Sequence, residues 1–370
     1  MARYLPLISF KYAILAILLA AITVSSDDNT PIPESESGIQ AWFNANVKPL
    51  ASRKGTLNSS LEAAEANPKI IKVRQNGGGD FKTITDAVKS IPSGNKQRVI
   101  LDIGAGTYNE KVIIPRDKPF VSFIGQPNSM PTLQYGGTAA QYGTVFSATL
   151  QVESDFFVAS NMIFKNTAPK PDGKRKGAQA LALRTGGSMA ALYNVKMYGF
   201  QDTLCDDRGY HFFKDCYIEG TVDFIFGSGK SIYLNTELRV LAANELTVIT
   251  AHARQKDSED IGFSFVHCQV TGNAGNGKKA LLGRAWMEMP RVVFAYSSMS
   301  EVVDPKGWSS NDHPEREGKV FFGEYKNTGP GAAPSGRVKY SKQLSAGDVK
   351  PYTTLGFIKG SSWLLPPPKL

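Results

Sequence analysis

Three cysteines in 370 residues, Cys205, Cys216 and Cys268, are too few to build a fold on disulfides, and their odd number leaves at least one thiol unpaired within the chain. Histidine is nearly as sparse. The four present, His211, His252, His267 and His313, have no ligand-like spacing to the cysteines, so no zinc site is expected and no other metal is called for. No G-x-S-x-G elbow occurs, which removes support for a serine site of the α/β-hydrolase type. Gly272–Lys279 falls short of a phosphate loop. It ends in lysine rather than serine or threonine and lies between two strand-like runs, where it reads as a hairpin-like loop. The lysine-rich stretch Lys170–Lys176 has no interleaved aromatics for base stacking, so a solvated loop is expected there rather than a nucleic-acid surface.

Long apolar runs are also missing, with one exception. Tyr12 to Val24 follows Arg3 and Lys11, gives way to Ser25-Ser26, and is shorter than the ~20 residues that span a bilayer. Residues 1–26 therefore read as a secretory signal peptide rather than an anchor. Lys+Arg 42 against Asp+Glu 33 gives +9, and removing Arg3 and Lys11 leaves +7. A basic product favours an anionic partner, without separating nucleic acid, membrane surface and acidic polysaccharide. Asn58-Ser59-Ser60 is a glycosylation sequon in an N-terminal region expected to be exposed.

What is abundant is short strand-like runs. Residues 27–68 carry two short helical patterns, Gly38–Val47 and Ser60–Ala66. From Lys69 the texture changes to apolar or alternating runs between Gly, Asn, Asp and Pro, among them Arg98–Ile103, Phe120–Ile124, Phe156–Phe164, Gln179–Leu183, Ala191–Met197, Phe212–Ile218 and Asp223–Phe226. Thr83–Ile91 is the clearest helical exception. The pattern predicts an all-β protein over 69–370. An aromatic residue followed closely by a polar turn residue recurs at Phe164/Asn166, Tyr193/Asn194, Phe213/Asp215 and Tyr233/Asn235, the last three about 20 residues apart, within the period of stacked repeats. Two-residue hairpin turns are sparse. A parallel β-helix is preferred over a large β-sandwich, with the Pro-rich end after Trp363 packed across the solenoid.

The chemistry concentrates in Gly199-Phe200-Gln201-Asp202-Thr203-Leu204 and Gly220-Thr221-Val222-Asp223-Phe224-Ile225-Phe226-Gly227. Asp223 is expected inside an apolar strand, where a charge needs a partner or a task. Asp202 precedes it by 21 residues and Gln179 precedes Gln201 by 22, so one coil of that length stacks two carboxylates and two amides on one patch. Two carboxylates so close need a cation to ionise together, and Arg284, in Leu282-Gly283-Arg284-Ala285-Trp286, is the candidate.

At these residues the chain resembles plant pectin methylesterases, most closely the pollen-type members known as allergens. Ser147-Ala148-Thr149, Phe164–Ala168, Gly307-Trp308 and Gly323-Glu324-Tyr325 extend the resemblance over nearly the whole mature chain. It implies a right-handed parallel β-helix that removes methyl esters from cell-wall homogalacturonan. By position, it implies Asp223 as nucleophile, Asp202 as general acid then base, Gln201 and Gln179 as oxyanion donors, and Arg284 as the group keeping Asp223 ionised. Thr144 and Trp286 match substrate-contacting positions, alongside Gln179 and Arg284. No cofactor is required. A secreted cell-wall monomer is expected, with neither nucleic acid nor membrane as partner and a separate proteinaceous inhibitor as a candidate partner.

The departures from the family pattern carry expectations of their own. Ala285 replaces a usual proline, which is expected to loosen the backbone near Arg284. Ser228-Gly229 stands where Asn-Ala is commoner. Thr236 stands where many relatives pair a cysteine with Cys216. About 40 residues between the leader and the β-helix cannot hold an inhibitor-like pro-region. The alternatives are a lyase or polygalacturonase on the same architecture and a non-catalytic pectin-binding wall protein. The first would bring a calcium-binding acidic cluster or a glycosidic carboxylate pair, and the second has no need for the complete catalytic set.

Overall fold

The computed structural model describes residues 28–243 and 246–370; the expected leader, residues 1–26, lies outside the described residues. Strands from Lys69 onward wind into three parallel sheets of eleven, eight and eight strands, in which each strand pairs with its counterparts on the coils before and after. This is a right-handed parallel β-helix. Leu183, Leu204 and Ile225 are in register on one eight-stranded sheet, which sets a 21-residue coil there. Later coils run longer, with Ile225 opposite Thr250 and Thr250 opposite Gly283, because insertions enter at corners while the strands keep register.

The aromatic-then-polar repeat is the signature of one corner. Asn194, Asp215 and Asn235 all adopt left-handed φ, between 50° and 56°. Asn and Asp tolerate that conformation better than most residues because their short polar side chains bond locally. Their side chains also join successive coils, with Asn194 Nδ2 donating to Asn161 Oδ1 at 2.8 Å and Asn235 Nδ2 to Asp215 Oδ1 at 2.6 Å. Phe164/Asn166 is not part of this series. The corner of that coil is Asn161, φ 55°, while Asn166 ends a strand and is buried against the carbonyls of Gly137 and Leu181.

Two expected strands begin later than read. Gln179–Leu183 yields a strand only at Leu183–Thr185, and Asp223–Phe226 only at Ile225–Gly227. Asp223 is therefore not inside a strand. It occupies a left-handed turn, φ 49°, just before one, and the apolar residues around it misled because Phe224 and Ile225 turn into the core from that corner. The helical patterns fare better, forming Ile39–Asn46, Ser59–Glu65 and Ile84–Ser90.

Inside the solenoid, in-register strands of the large sheet stack their aromatics. Phe213, Tyr233, Phe265 and Phe294 follow one another at ring separations of 4.5, 4.4 and 4.5 Å, close to the strand spacing that imposes them. The outer face of that sheet is covered. Trp42 and Phe43 of the first helix, with Phe357 and Trp363 of the C-terminal tail, pack over Phe212, Ile232 and Val266. Backbone bonds from Ile32 to Thr353 and from Asn58 to Ser362 tie the two covering segments together. The outer face of the eight-stranded sheet that contains Leu183, Leu204 and Ile225 carries the candidate site.

Candidate active site

Asp202 and Asp223 sit two residues before in-register Leu204 and Ile225, so the same turn on successive coils presents both. The Asp202 N–H donates to Val222 O at 3.0 Å, locking the two turns together. Both have left-handed backbone, φ 65° and 49°, and both are nearly buried, at 7% and 6% exposed. The turns are made sharp by glycine. A Cβ on Gly220 would lie 2.6 Å from Phe200 O and collide with the Phe224 side chain.

Arg284, at the end of strand Leu281–Arg284, reaches Asp223 with a forked pair. Its Nε donates to Oδ1 at 2.8 Å and Nη2 to Oδ2. Nη1 donates to Asn311 Oδ1 at 2.8 Å, and the guanidinium lies 4.9 Å from the Trp286 ring. Asn311 has no counterpart in the sequence reading, since the contact spans 27 residues and no local motif announces it. Among the described residues the Asp202 carboxyl has no hydrogen-bond partner.

Burial lifts both carboxyls above the ordinary aspartate range, but unequally. For Asp223 the hydrogen bonds and charge of Arg284 oppose the burial. For Asp202 the Asp223 charge adds to burial, the smaller opposing effect of Arg284 does not offset them, and the group is pushed well up. The pair is thus set apart chemically, with Asp223 the one that ionises first and Asp202 the one that keeps its proton.

Gln201 adjoins Asp202, and Gln179 lies one coil earlier. The register is 21 rather than 22, so Ala180 stands opposite Gln201, with its N–H on Gln201 O at 3.2 Å, and Gln179 is offset by one residue. Both glutamine side chains are partly exposed and unengaged by other described residues. A cavity of about 270 Å³ opens on Gln201 between Thr221, Val222 and the Lys170–Pro171 loop. Thr144 is linked to the same region through Ser147, whose Oγ donates to Thr144 O at 2.7 Å and accepts from Leu181 N at 3.2 Å. Trp286 stands 45% exposed beside Arg284. Asn58 is elsewhere, exposed at the start of helix Ser59–Glu65, where its Oδ1 caps Ser60 N and Leu61 N.

The Ala285 backbone makes a bond that the proline usual in the family could not. Its N–H, which a proline would lack, donates to Ser309 O at 2.9 Å. All three cysteines are free buried thiols. A second polar cluster, hidden from the sequence reading, fills the interior nearby: His211 bonds Asp206 at 2.5 Å and Gly187 O at 2.8 Å, and Tyr233 Oη donates to Asp206 Oδ2 at 2.6 Å.

Fold and site together define a β-helical enzyme with an asymmetric aspartate pair on one sheet face. A sequence model of the Pectinesterase family matches residues 70–361. Pectinesterase 1 of Olea europaea is 53% identical over 361 residues, 97% of this chain and 98% of that protein. The pectin methylesterase from carrot superposes with a TM-score of 0.75 at 31% identity, over 82% of this chain and 97% of that one. A pectin methylesterase solved in complex with a hexasaccharide gives 0.65 at 25% identity, over 81% and 99%. The chain belongs to the pectinesterase family, and its reaction is the de-methylesterification of pectin.

Proposed function

We propose that this pectinesterase works through an acyl-enzyme on Asp223. The observation that carries the reading is the forked Arg284–Asp223 pair beside an Asp202 carboxyl with no partner among the described residues. An Asp223 carboxylate oxygen attacks the methyl-ester carbonyl carbon, and the resulting oxyanion accepts hydrogen bonds from the Gln201 and Gln179 amides. The C–OCH₃ bond then breaks as Asp202 gives its proton to the departing methanol, leaving a mixed anhydride on Asp223. Asp202, now a carboxylate, takes a proton from water. The hydroxide attacks the acyl carbon, the bond to Asp223 breaks, and the galacturonic acid formed gives its proton to water and leaves as the carboxylate, with Asp202 protonated again. Neither step needs a cofactor.

Thr144 and Trp286 would contact the polymer, a role supported by the partial exposure of the one and the solvent-facing ring of the other. The protein is proposed to be secreted to the cell wall as a monomer, with residues 1–26 as its leader, residues 69–370 as catalytic domain and Asn58 as glycan acceptor. No helix among the described residues is long and apolar enough to cross a membrane, and the +7 charge left after removal of Arg3 and Lys11 suits retention by an anionic polymer. The test is methanol release from highly methylated pectin by the mature chain and by Asp223→Asn, which retains the left-handed turn. Release by the wild type and none by the folded variant is expected; equal release by both would remove Asp223 from the mechanism.

A further inference from the structure

Arg284 is held from more directions than its pairing with Asp223 requires. Its Nε and Nη2 serve the carboxylate, its face lies against Trp286, and its remaining edge donates through Nη1 to Asn311. The backbone following it is held as well. Ala285 N–H bonds Ser309 O at 2.9 Å, while Arg316 Nη1 donates to Ala285 O at 2.8 Å and to Trp286 O at 3.2 Å. Four of these bonds come from the single stretch 309–316.

We propose that residues 309–316 form a brace for Arg284, with Asn311 and Arg316 as positioning residues of the esterase reaction. The inference rests on the Asp223 nucleophile reading and names what keeps its activating cation aimed.

The brace is itself built. Asn311 and Asp312 both take left-handed φ, 60° and 59°, and the Asn311 backbone N–H is fixed on Ser309 Oγ at 2.9 Å, so the backbone that carries the amide is held in place. Arg316 is anchored in turn by Glu288 at 3.3 Å, which Lys319 also contacts at 3.0 Å. Asn311 is neutral, and that matters. A forked pair needs the guanidinium plane fixed to within about 10–20°. An uncharged acceptor at Nη1 supplies that without competing for the charge that Asp223 requires. The charged groups facing Asp223 are Arg284 and Asp202; those at the brace are Arg316, Glu288 and Lys319, together with Asp312 and the His313–Glu315 pair on the stretch itself. Ala285 belongs to the same device, because only a residue with an N–H can make the bond to Ser309.

The test compares wild type with Asn311→Gly, Asn311→Asp and Arg316→Gln in the mature chain, reading kcat and KM for methanol release across pH, with melting temperature alongside. Glycine keeps the left-handed turn and removes only the amide. Asn311→Gly is expected to lower kcat about tenfold with KM little changed, and to move the acid limb of kcat/KM to higher pH, because a loosely held Arg284 stabilises the Asp223 carboxylate less. Asn311→Asp should lose more and shift further, since its carboxylate competes for the guanidinium. Arg316→Gln should behave like Asn311→Gly. A folded Asn311→Gly enzyme with the wild-type kcat and acid limb would overturn the proposal. So would a fall in melting temperature alone, or an Asn311→Asp variant no worse than Asn311→Gly. An Asp223→Asn variant as active as wild type would instead overturn the nucleophile assignment, and this inference with it.

Discussion

Asp202 and Asp223 occupy equivalent left-handed turns one 21-residue coil apart, yet only Asp223 is paired with a cation. One backbone geometry used twice therefore produces two different acids. The asymmetry comes from Arg284, which arrives from a later coil and reaches one carboxylate with two hydrogen bonds. A nucleophile must be ionised and a leaving group must be protonated, so the difference is what the proposed acyl-enzyme route needs.

The pH profile follows with a definite sign. The acid limb of kcat/KM should report Asp223 ionising, at a pH above that of an ordinary aspartate because burial outweighs Arg284. The alkaline limb should report loss of the Asp202 proton, which burial and the Asp223 charge hold well above that range. Replacing Arg284 by Gln removes the group that opposes both shifts, so the acid limb should move up and kcat should fall. An Arg284→Gln enzyme with an unmoved acid limb would contradict the pairing.

Oxyanion stabilisation predicts a loss in kcat rather than in binding. Gln201→Ala should cost about 10²–10³ in kcat with KM nearly retained. The one-residue register offset of Gln179 means that its amide arrives from a neighbouring position rather than directly below Gln201. Gln179→Ala should therefore show the same kind of loss without the same size. A variant that raised KM alone would make that glutamine a substrate contact and not an oxyanion donor.

Two buried histidines predict opposite slopes in stability. His252 accepts from Arg291 N at Nδ1 and faces Gly229 O with Nε2, which fits one proton, and burial lowers it from 6.5 to about 4. Its neutral form is favoured in the fold. Stability should then drop as pH falls from about 6.5 toward 4, by about 3 kcal/mol in all. His211 presents both ring nitrogens to acceptors, Asp206 and Gly187 O, which fits the imidazolium. Burial pulls it down, but the Asp206 charge and hydrogen bonds prevail and raise it. That contribution is complete below 6.5 and is lost as pH rises through the raised value. Melting curves across pH should flatten on the acid side in His252→Gln and on the alkaline side in His211→Gln; unchanged slopes in both would remove these histidines from the balance.

Much of this was legible in the chain because the coil is short and regular where it matters. Between Leu183 and Tyr233 successive strands recur every 20 or 21 residues, and the left-handed corners select Asn and Asp, so Asn194, Asp215 and Asn235 print the period into the sequence. Asp202 and Asp223 stand out for the same reason. The reading failed where local pattern and three-dimensional role part company. Asp223 looked like a strand residue because Phe224 and Ile225 follow it into the core, although its own backbone turns. Asn311 and Arg316 were missed because their partners lie about a coil away with no local motif to announce them, and the Asp206–His211–Tyr233 cluster because nothing in the residue pattern says that these three side chains turn inward and meet.

Trp286 offers the last separable prediction. A tryptophan 45% exposed adds little to the core, yet its backbone is doubly held, its N–H on Arg284 O at 2.9 Å and its carbonyl by Arg316. A ring held out into solvent beside the aspartate pair suits the apolar face of a sugar, and it also lies 4.9 Å from the Arg284 guanidinium. The two roles read out differently. If the indole stacks on the polymer, Trp286→Ala should raise KM about tenfold, leave kcat and melting temperature nearly unchanged, and be largely rescued by Trp286→Phe. If kcat and the acid limb move while KM does not, the ring acts through Arg284, and sugar stacking is not its role.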